Sequence, residues 1–171
     1  FSSKESKVKK LKELYDTIVE EAEEKVGYLQ GPFHYCISIL ILVTIFVIFA
    51  PHQLYFPIAG ILIMIIGDTM ASVIGKRWGT IPIKLPWTGR RSLQGSITMF
   101  VFSYLLALGS FYYFGMFNPV TQNILTWDLI LIYSLITGLA ATIIEIISPS
   151  TWDDLSVPIG TTVLIFLLTL I

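Results

Sequence analysis

The sequence predicts an all-α fold, a polytopic membrane protein of about five crossing helices preceded by an amphipathic one. Three observations carry that expectation. Of the 171 residues, 54% are apolar and only 13% charged, with a mean hydropathy of +0.76, more than a soluble core of this size requires. Charged side chains are absent from Val26 to Gly67, from Ser92 to Trp127 and from Leu155 to Ile171, and a hydrocarbon core about 30 Å thick needs roughly 20 apolar residues of helix to cross it. The apolar runs are interrupted at Gly31-Pro32, Pro51, the Gly79 to Gly89 stretch, Asn118-Pro119 and Pro149, residues that stop helices or favour turns.

Taken in order, the first element covers residues 1–30. Val8, Leu11, Tyr15, Ile18 and Ala22 recur at three-four spacing, which places one apolar stripe on a helix. Its first half is basic and its second half acidic, opposing the helix dipole. Phe1 in place of an initiator methionine, and an end within an apolar run, read as a processed or trimmed polypeptide with upstream segments to be expected. No signal-peptide pattern is present. The membrane domain, 31–171, is expected to cross at about 33–50, 54–75, 93–114, 128–147 and 157–171, the last run being the shortest.

Beyond Lys25, every basic residue lies in the segment 76–91: Lys76, Arg77, Lys84, Arg90 and Arg91. The positive-inside rule turns this loop toward the cytoplasm, and counting crossings puts the amphipathic helix and the Ser148 to Ser156 loop on the same side. Trp78, Trp87, Trp127 and Trp152 all fall at or beyond expected span ends, where indole rings prefer the interface. The membrane would be that of the endoplasmic reticulum in a eukaryote and the cell membrane in a prokaryote.

With a single cysteine, Cys36, and two histidines, His34 and His52, neither a disulfide nor a Cys or His metal cluster can be built. Carboxylates remain as ligands for a hard cation. An Asp inside a span costs roughly 2.5 to 3.5 kcal/mol on insertion scales and usually faces protein or an aqueous cavity. Asp68 and Glu145 are such residues, and Asp153 and Asp154 follow on the same side as the cations. Carboxylates that hold magnesium, beside Lys and Arg that neutralise phosphate oxygens, suit a nucleoside triphosphate. Each feature also has a plainer account. The basic loop is a topology signal that meets anionic headgroups, the glycines at 67, 75, 79, 89 and 95 permit close helix packing, Asp153-Asp154 form a solvated turn or a helix cap, Asp128 is an N-terminal helix charge, and His34 and His52 are structural. No GxxxxGK[ST], GxGxxG or kinase HRD and DFG set occurs, so any phosphate site is membrane-built.

Three ordered blocks then stand together: Gly67-Asp68-Thr69-Met70-Ala71-Ser72 with Gly75-Lys76-Arg77-Trp78-Gly79; Gly89-Arg90-Arg91-Ser92-Leu93-Gln94-Gly95-Ser96; and Glu145 with Trp152-Asp153-Asp154-Leu155-Ser156-Val157-Pro158. Over residues 27–171 they resemble the CTP-dependent lipid kinases (dolichol kinases, phytol kinases and yeast-type diacylglycerol kinases), with the Trp-Asp-Asp ending most like the diacylglycerol kinase branch. The resemblance implies transfer of the γ-phosphate of CTP to a lipid hydroxyl at the cytoplasmic face, with Mg2+. Asp68, Glu145, Asp153 and Asp154 would be the catalytic carboxylates, and Asp68, Asp153 and Asp154 the metal ligands. Gly75, Lys76, Arg77, Gly79, Lys84, Arg90, Arg91, Ser92 and Gly95 would bind the nucleotide. Either Glu145 or Asp68 would accept the hydroxyl proton. Gln94 stands where many members carry an acid and is given no catalytic role, and the family's early Arg-Lys and His motif is not found. The expected partners are a lipid alcohol, a nucleoside triphosphate and the bilayer, with no nucleic acid and with a homo-oligomer allowed. The competing readings are a CTP-dependent lipid-phosphate cytidylyltransferase, whose His-Gly-Gly and repeated-Asp ending is absent here, and a non-enzymatic anionic-lipid-binding protein.

Overall fold

A computed structural model describes residues 30–83, 85, 91–149 and 152–170. The expected amphipathic helix, except for Gln30, and two expected nucleotide-binding residues, Lys84 and Arg90, lie outside them. Helix α1 spans Gln30–Phe49. Pro32 falls in its first turn, where a missing N–H costs nothing, and the helix stops just ahead of Pro51. Its residues are apolar all round, yet only Ser38, Leu42 and Phe46 are buried, a four-residue spacing that marks a single inward stripe.

The second crossing is one 24-residue rod, Tyr55–Trp78, in three parts: α2 (Tyr55–Leu62), a π-helical stretch (Ile63–Asp68) and α3 (Thr69–Trp78). The Thr69 hydroxyl donates to the Ile65 carbonyl at 2.6 Å, giving a partner to an oxygen in the widened turn. The rod runs three residues past its expected end, so Lys76 and Arg77 are helical. Cations in a last turn complement the helix dipole there.

Two-residue strands β1 (Pro82–Ile83) and β2 (Arg91–Ser92) pair antiparallel, Ile83 opposite Arg91. An all-helical reading does not include them, because two pairs are too few to leave an alternating pattern. Helix α4, Leu93–Tyr112, starts on a Ser92 cap whose hydroxyl accepts from the Gly95 N–H at 3.2 Å. A second π stretch, Tyr113–Phe117, extends it. Helix α5, Trp127–Ile147, ends at Ser148 before Pro149. Its buried residues Ile130, Ser134, Thr137, Gly138, Ala141 and Glu145 form one stripe, which is why Glu145 points inward.

Helix α6 is Asp153–Leu168. It begins four residues before the expected fifth crossing because Asp153 and Asp154 form its first turn instead of preceding it, and it carries Pro158 inside. Its 16 residues reach about 24 Å at 1.5 Å per residue, short of the roughly 30 Å hydrocarbon core. Among the described residues, four helices and not five have the length and apolarity to cross a membrane.

The bundle is built around α4, which contacts α2, α3 and α5, while α6 lies against α5, α2 and α1. Close approach needs small residues at the crossings: a methyl group on Gly138 would come 3.2 Å from the Tyr104 amide nitrogen. At one end of the bundle, Tyr55, Phe56 and Phe111 are fully buried and meet edge to face, with centroids 4.5 to 6.0 Å apart.

Candidate active site

The other end of the bundle gathers the charges. There α3 and α5 finish, α4 and α6 start, and the β1–β2 ribbon projects Arg91 between them. One guanidinium nitrogen of Arg91 pairs with Glu145 Oε1. The other lies 3.2 Å from Asp153 Oδ2 and donates to the Ser148 carbonyl, also at 3.2 Å. All three charged side chains are largely out of water, at 9%, 8% and 14% exposure. Two atoms in this group are buried with no hydrogen-bond partner, Arg91 Nε and Glu145 Oε2. Such atoms are rare in settled cores and mark places where a ligand or water is expected.

Around the ion pairs, Ser148 and Ser156 hydroxyls meet at 2.6 Å, and Ser156 also donates to the Trp152 carbonyl at 2.9 Å. The turn between α5 and α6 is thereby tied to both helices. Asp154 is half-buried in the first turn of α6, and its carboxylate would sit 3.4 Å from a methyl group on Gly31. The first turn of α1 thus forms another wall of the site. His34, read from the sequence as structural, stands in that turn and stacks on Trp152 with centroids 4.9 Å apart. The available signal was topology, since counting crossings already put the start of α1 on the charged side.

Asp68 closes the π-helical stretch, half-buried, next to buried Gly67. It lies ten residues before Trp78, about 15 Å from the end of the rod. Among the described residues no three His, Cys, Asp or Glu side chains come close enough to cage a metal. Asp68, Asp153 and Asp154 are therefore not a preformed three-ligand cage. A magnesium ion carried by a triphosphate takes only one or two carboxylates, with phosphate and water oxygens completing its shell, a demand that the adjacent Asp153 and Asp154 would meet.

Lys76 and Arg77 are exposed at the end of α3, with the Arg77 guanidinium 5.0 Å from the centroid of the Trp78 ring. The glycines expected to admit a nucleotide have a packing reason. A methyl group on Gly75 would lie 2.9 Å from Ser92 Oγ and 3.4 Å from Gly95 Cα, and one on Gly95 would lie 3.1 Å from the Ala71 carbonyl oxygen. Gly79 would collide with Ser92 in the same way. Gly75 and Gly95 let α3 and α4 touch backbone to backbone, and Gly79 makes room for the Ser92 side chain. Ser92 caps α4 and donates to the Gly75 carbonyl at 3.3 Å, while Gln94 accepts from the Thr80 N–H at 3.1 Å and donates to its hydroxyl. A recess of about 240 Å3, lined by Leu54, Tyr55, Ile58, Phe114, Val120 and Gln122 among others, lies at the opposite end and touches none of this chemistry.

The chain is 34% identical over 142 residues to a protein named probable phytol kinase 1, chloroplastic, of Oryza sativa subsp. japonica, covering 82% of this chain and 42% of that one. The chain resembles plant phytol kinases. A probable phytol kinase of Triticum aestivum is 33% identical over 82% of this chain and 44% of its own length. Phytol kinase 1 of Arabidopsis thaliana is 27% identical over 78% and 41%. The chain thus spans less than half the length of these curated relatives. No protein-family model matches it, and no solved structure does. The relatives' names favour phytol kinases over the diacylglycerol branch, and they place those proteins in the chloroplast, a compartment outside both membranes expected from the sequence.

Proposed function

We propose that the charged end of the bundle is the nucleotide-facing part of a lipid kinase that transfers the γ-phosphate of CTP to the hydroxyl of a lipid alcohol. A long isoprenoid alcohol such as phytol is the first acceptor to consider, with dolichol-type polyprenols and diacylglycerol next. The observation that carries this reading is the convergence of Glu145, Asp153, Asp154, Lys76 and Arg77 at one end of apolar helices, in a chain similar over four fifths of its length to proteins named phytol kinase.

In this reading the lipid enters between helices, keeps its tail in hydrocarbon and presents its hydroxyl at the interface. The hydroxyl oxygen bonds to the γ-phosphorus as the bridge to the β-phosphate breaks, leaving a lipid phosphate and CDP. The hydroxyl proton passes to a carboxylate, Asp68 or Glu145. Asp153 and Asp154, with Asp68, are the residues that would hold a magnesium ion, which would neutralise charge on the triphosphate. Lys76 and Arg77 add cationic charge on the same side, and Lys84 and Arg90 remain candidate nucleotide ligands from the sequence alone. The positive-inside rule puts this end on the compartment side that holds the nucleotide.

Label position tests the proposal. Membranes carrying the full-length protein are incubated with CTP or ATP labelled at the α- or γ-phosphate, against phytol, a polyprenol and diacylglycerol. The expected result is γ label on the lipid, greatest with CTP. Retention of α label on the lipid instead identifies a cytidylyltransferase, and no label on any acceptor leaves the non-enzymatic lipid-binding reading in place of an enzyme.

A further inference from the structure

We infer that Arg91 is a positioning residue that sets the placement of Glu145 and Asp153, and that phosphate binding falls to other cations. The inference rests on the kinase reading only for its kinetic consequence; the geometry stands without it. Arg91 sits in a cationic segment that the family resemblance assigns to the nucleotide. Its surroundings have the wrong sign for that task. Both terminal guanidinium nitrogens are committed, one to Glu145 and the other to Asp153 and the Ser148 carbonyl. The last carbonyls of α5 add the negative end of a helix dipole. Two carboxylates and a helix C-terminus around one guanidinium leave the group net negative, so an incoming phosphate meets repulsion unless it displaces acids that are themselves out of water.

The fork is also the reason for arginine. A guanidinium presents five N–H groups in a fixed plane and can reach acceptors on several sides, whereas an ammonium is a compact point charge. Here one side chain ties the start of α4 to the end of α5 and the start of α6. Its backbone is held by pairing with Ile83. What the arrangement leaves available is one buried donor, Arg91 Nε, next to a buried acceptor, Glu145 Oε2, so that no more than a single nitrogen of the fork is free for an anion. The Glu145 oxygen is suited to a hydroxyl or to water on a cation. It is unsuited to a phosphate.

The test uses the full-length protein in detergent and in membranes. Arg91→Lys should lower kcat by roughly 30-fold or more while affinity for a non-hydrolysable nucleotide stays within about 2-fold, since lysine keeps the charge but not the three-way bridge. A phosphate ligand predicts the reverse: lysine preserving the rate, or a nucleotide affinity that falls about 10-fold and more steeply in salt. A thermal cycle reads the bridge without any activity. Arg91→Met should lower the melting temperature by about 10 °C, because it strands the buried Glu145 carboxylate; Glu145→Met should cost less, because Arg91 keeps Asp153 and the Ser148 carbonyl, and the double variant should lose clearly less than the sum of the two. Additive losses in the cycle overturn the inference. If the wild type transfers phosphate to no lipid, the kinase reading fails on its own while the thermal cycle still decides the role of Arg91.

Discussion

The two ends of this bundle are joined by opposite chemistry. At the charged end, helices α4, α5 and α6 meet through one guanidinium and two carboxylates that are mostly out of water. At the far end the loops are joined by side-chain to backbone hydrogen bonds. The Gln122 side chain accepts from the Leu54 N–H at 2.6 Å and donates to the Pro51 carbonyl at 3.2 Å, while His52 Nδ1 meets the Thr121 carbonyl at 2.6 Å. Beneath them lies the Tyr55, Phe56 and Phe111 ring cluster. The far end fastens its loops with hydrogen bonds alone among the described contacts, so ion pairs are not required to do so. Buried charge carries a desolvation cost that packed apolar groups avoid. Among the described residues the buried ion pairs lie at one end, and the far end shows that the same helices can be fastened without them.

The contrast breaks most sharply at Asp68. Asp68→Asn should lower turnover by about a thousand-fold, within the span of general acid–base and electrostatic effects, with the melting temperature nearly unchanged; activity within a few-fold of wild type would make this carboxylate structural. The complementary experiment is Phe111→Ala at the far end. It should cost about 3 kcal/mol of stability and leave the nucleotide KM of the folded fraction alone. Should that KM rise with the loss of stability, the two ends are not separable. Gly95→Ala is of intermediate size, about 2 kcal/mol from overpacking where α3 meets α4, because the atoms in the way include the Ala71 carbonyl and the Gly75 Cα. An added methyl that raised stability would show the two helices free to part. The smallest effect belongs to Gln122→Ala, about 1 kcal/mol for an unmade hydrogen bond to Leu54, read by thermal unfolding with rates per folded molecule held constant.

Much of the scaffold was legible in the residues because membrane helices are dictated by length, apolarity and their stops. Pro51 and Pro149 mark real ends, and the stripe from Ile130 to Glu145 turns that acid inward as a helical period requires. What was not legible depends on partners distant in sequence. Nothing local says that Arg91 will meet Glu145 and Asp153, or that Gly75 and Gly95 fit against each other. The π-helical stretch has no residue signature, since one additional residue in a turn leaves the apolar pattern of Ile63 to Gly67 intact. His34 was hidden differently, since a lone histidine at the start of an apolar run gains meaning only once Trp152 is seen against it.

The widened turn at Ile63–Asp68 has a consequence for how this rod can change over time. Below it, α3 is locked against α4 at Gly75 and Gly95; above it, α2 is locked among aromatic rings and against Pro158, whose carbonyl would lie 2.9 Å from a methyl group on Gly60. One surplus residue between two such anchors acts as a vernier, since each residue of helix turns the chain by roughly 100°. Loss of a single codon there would heal the helix and preserve every apolar residue around it, yet it would rotate one anchor away from its seat or swing Asp68 toward the lipid.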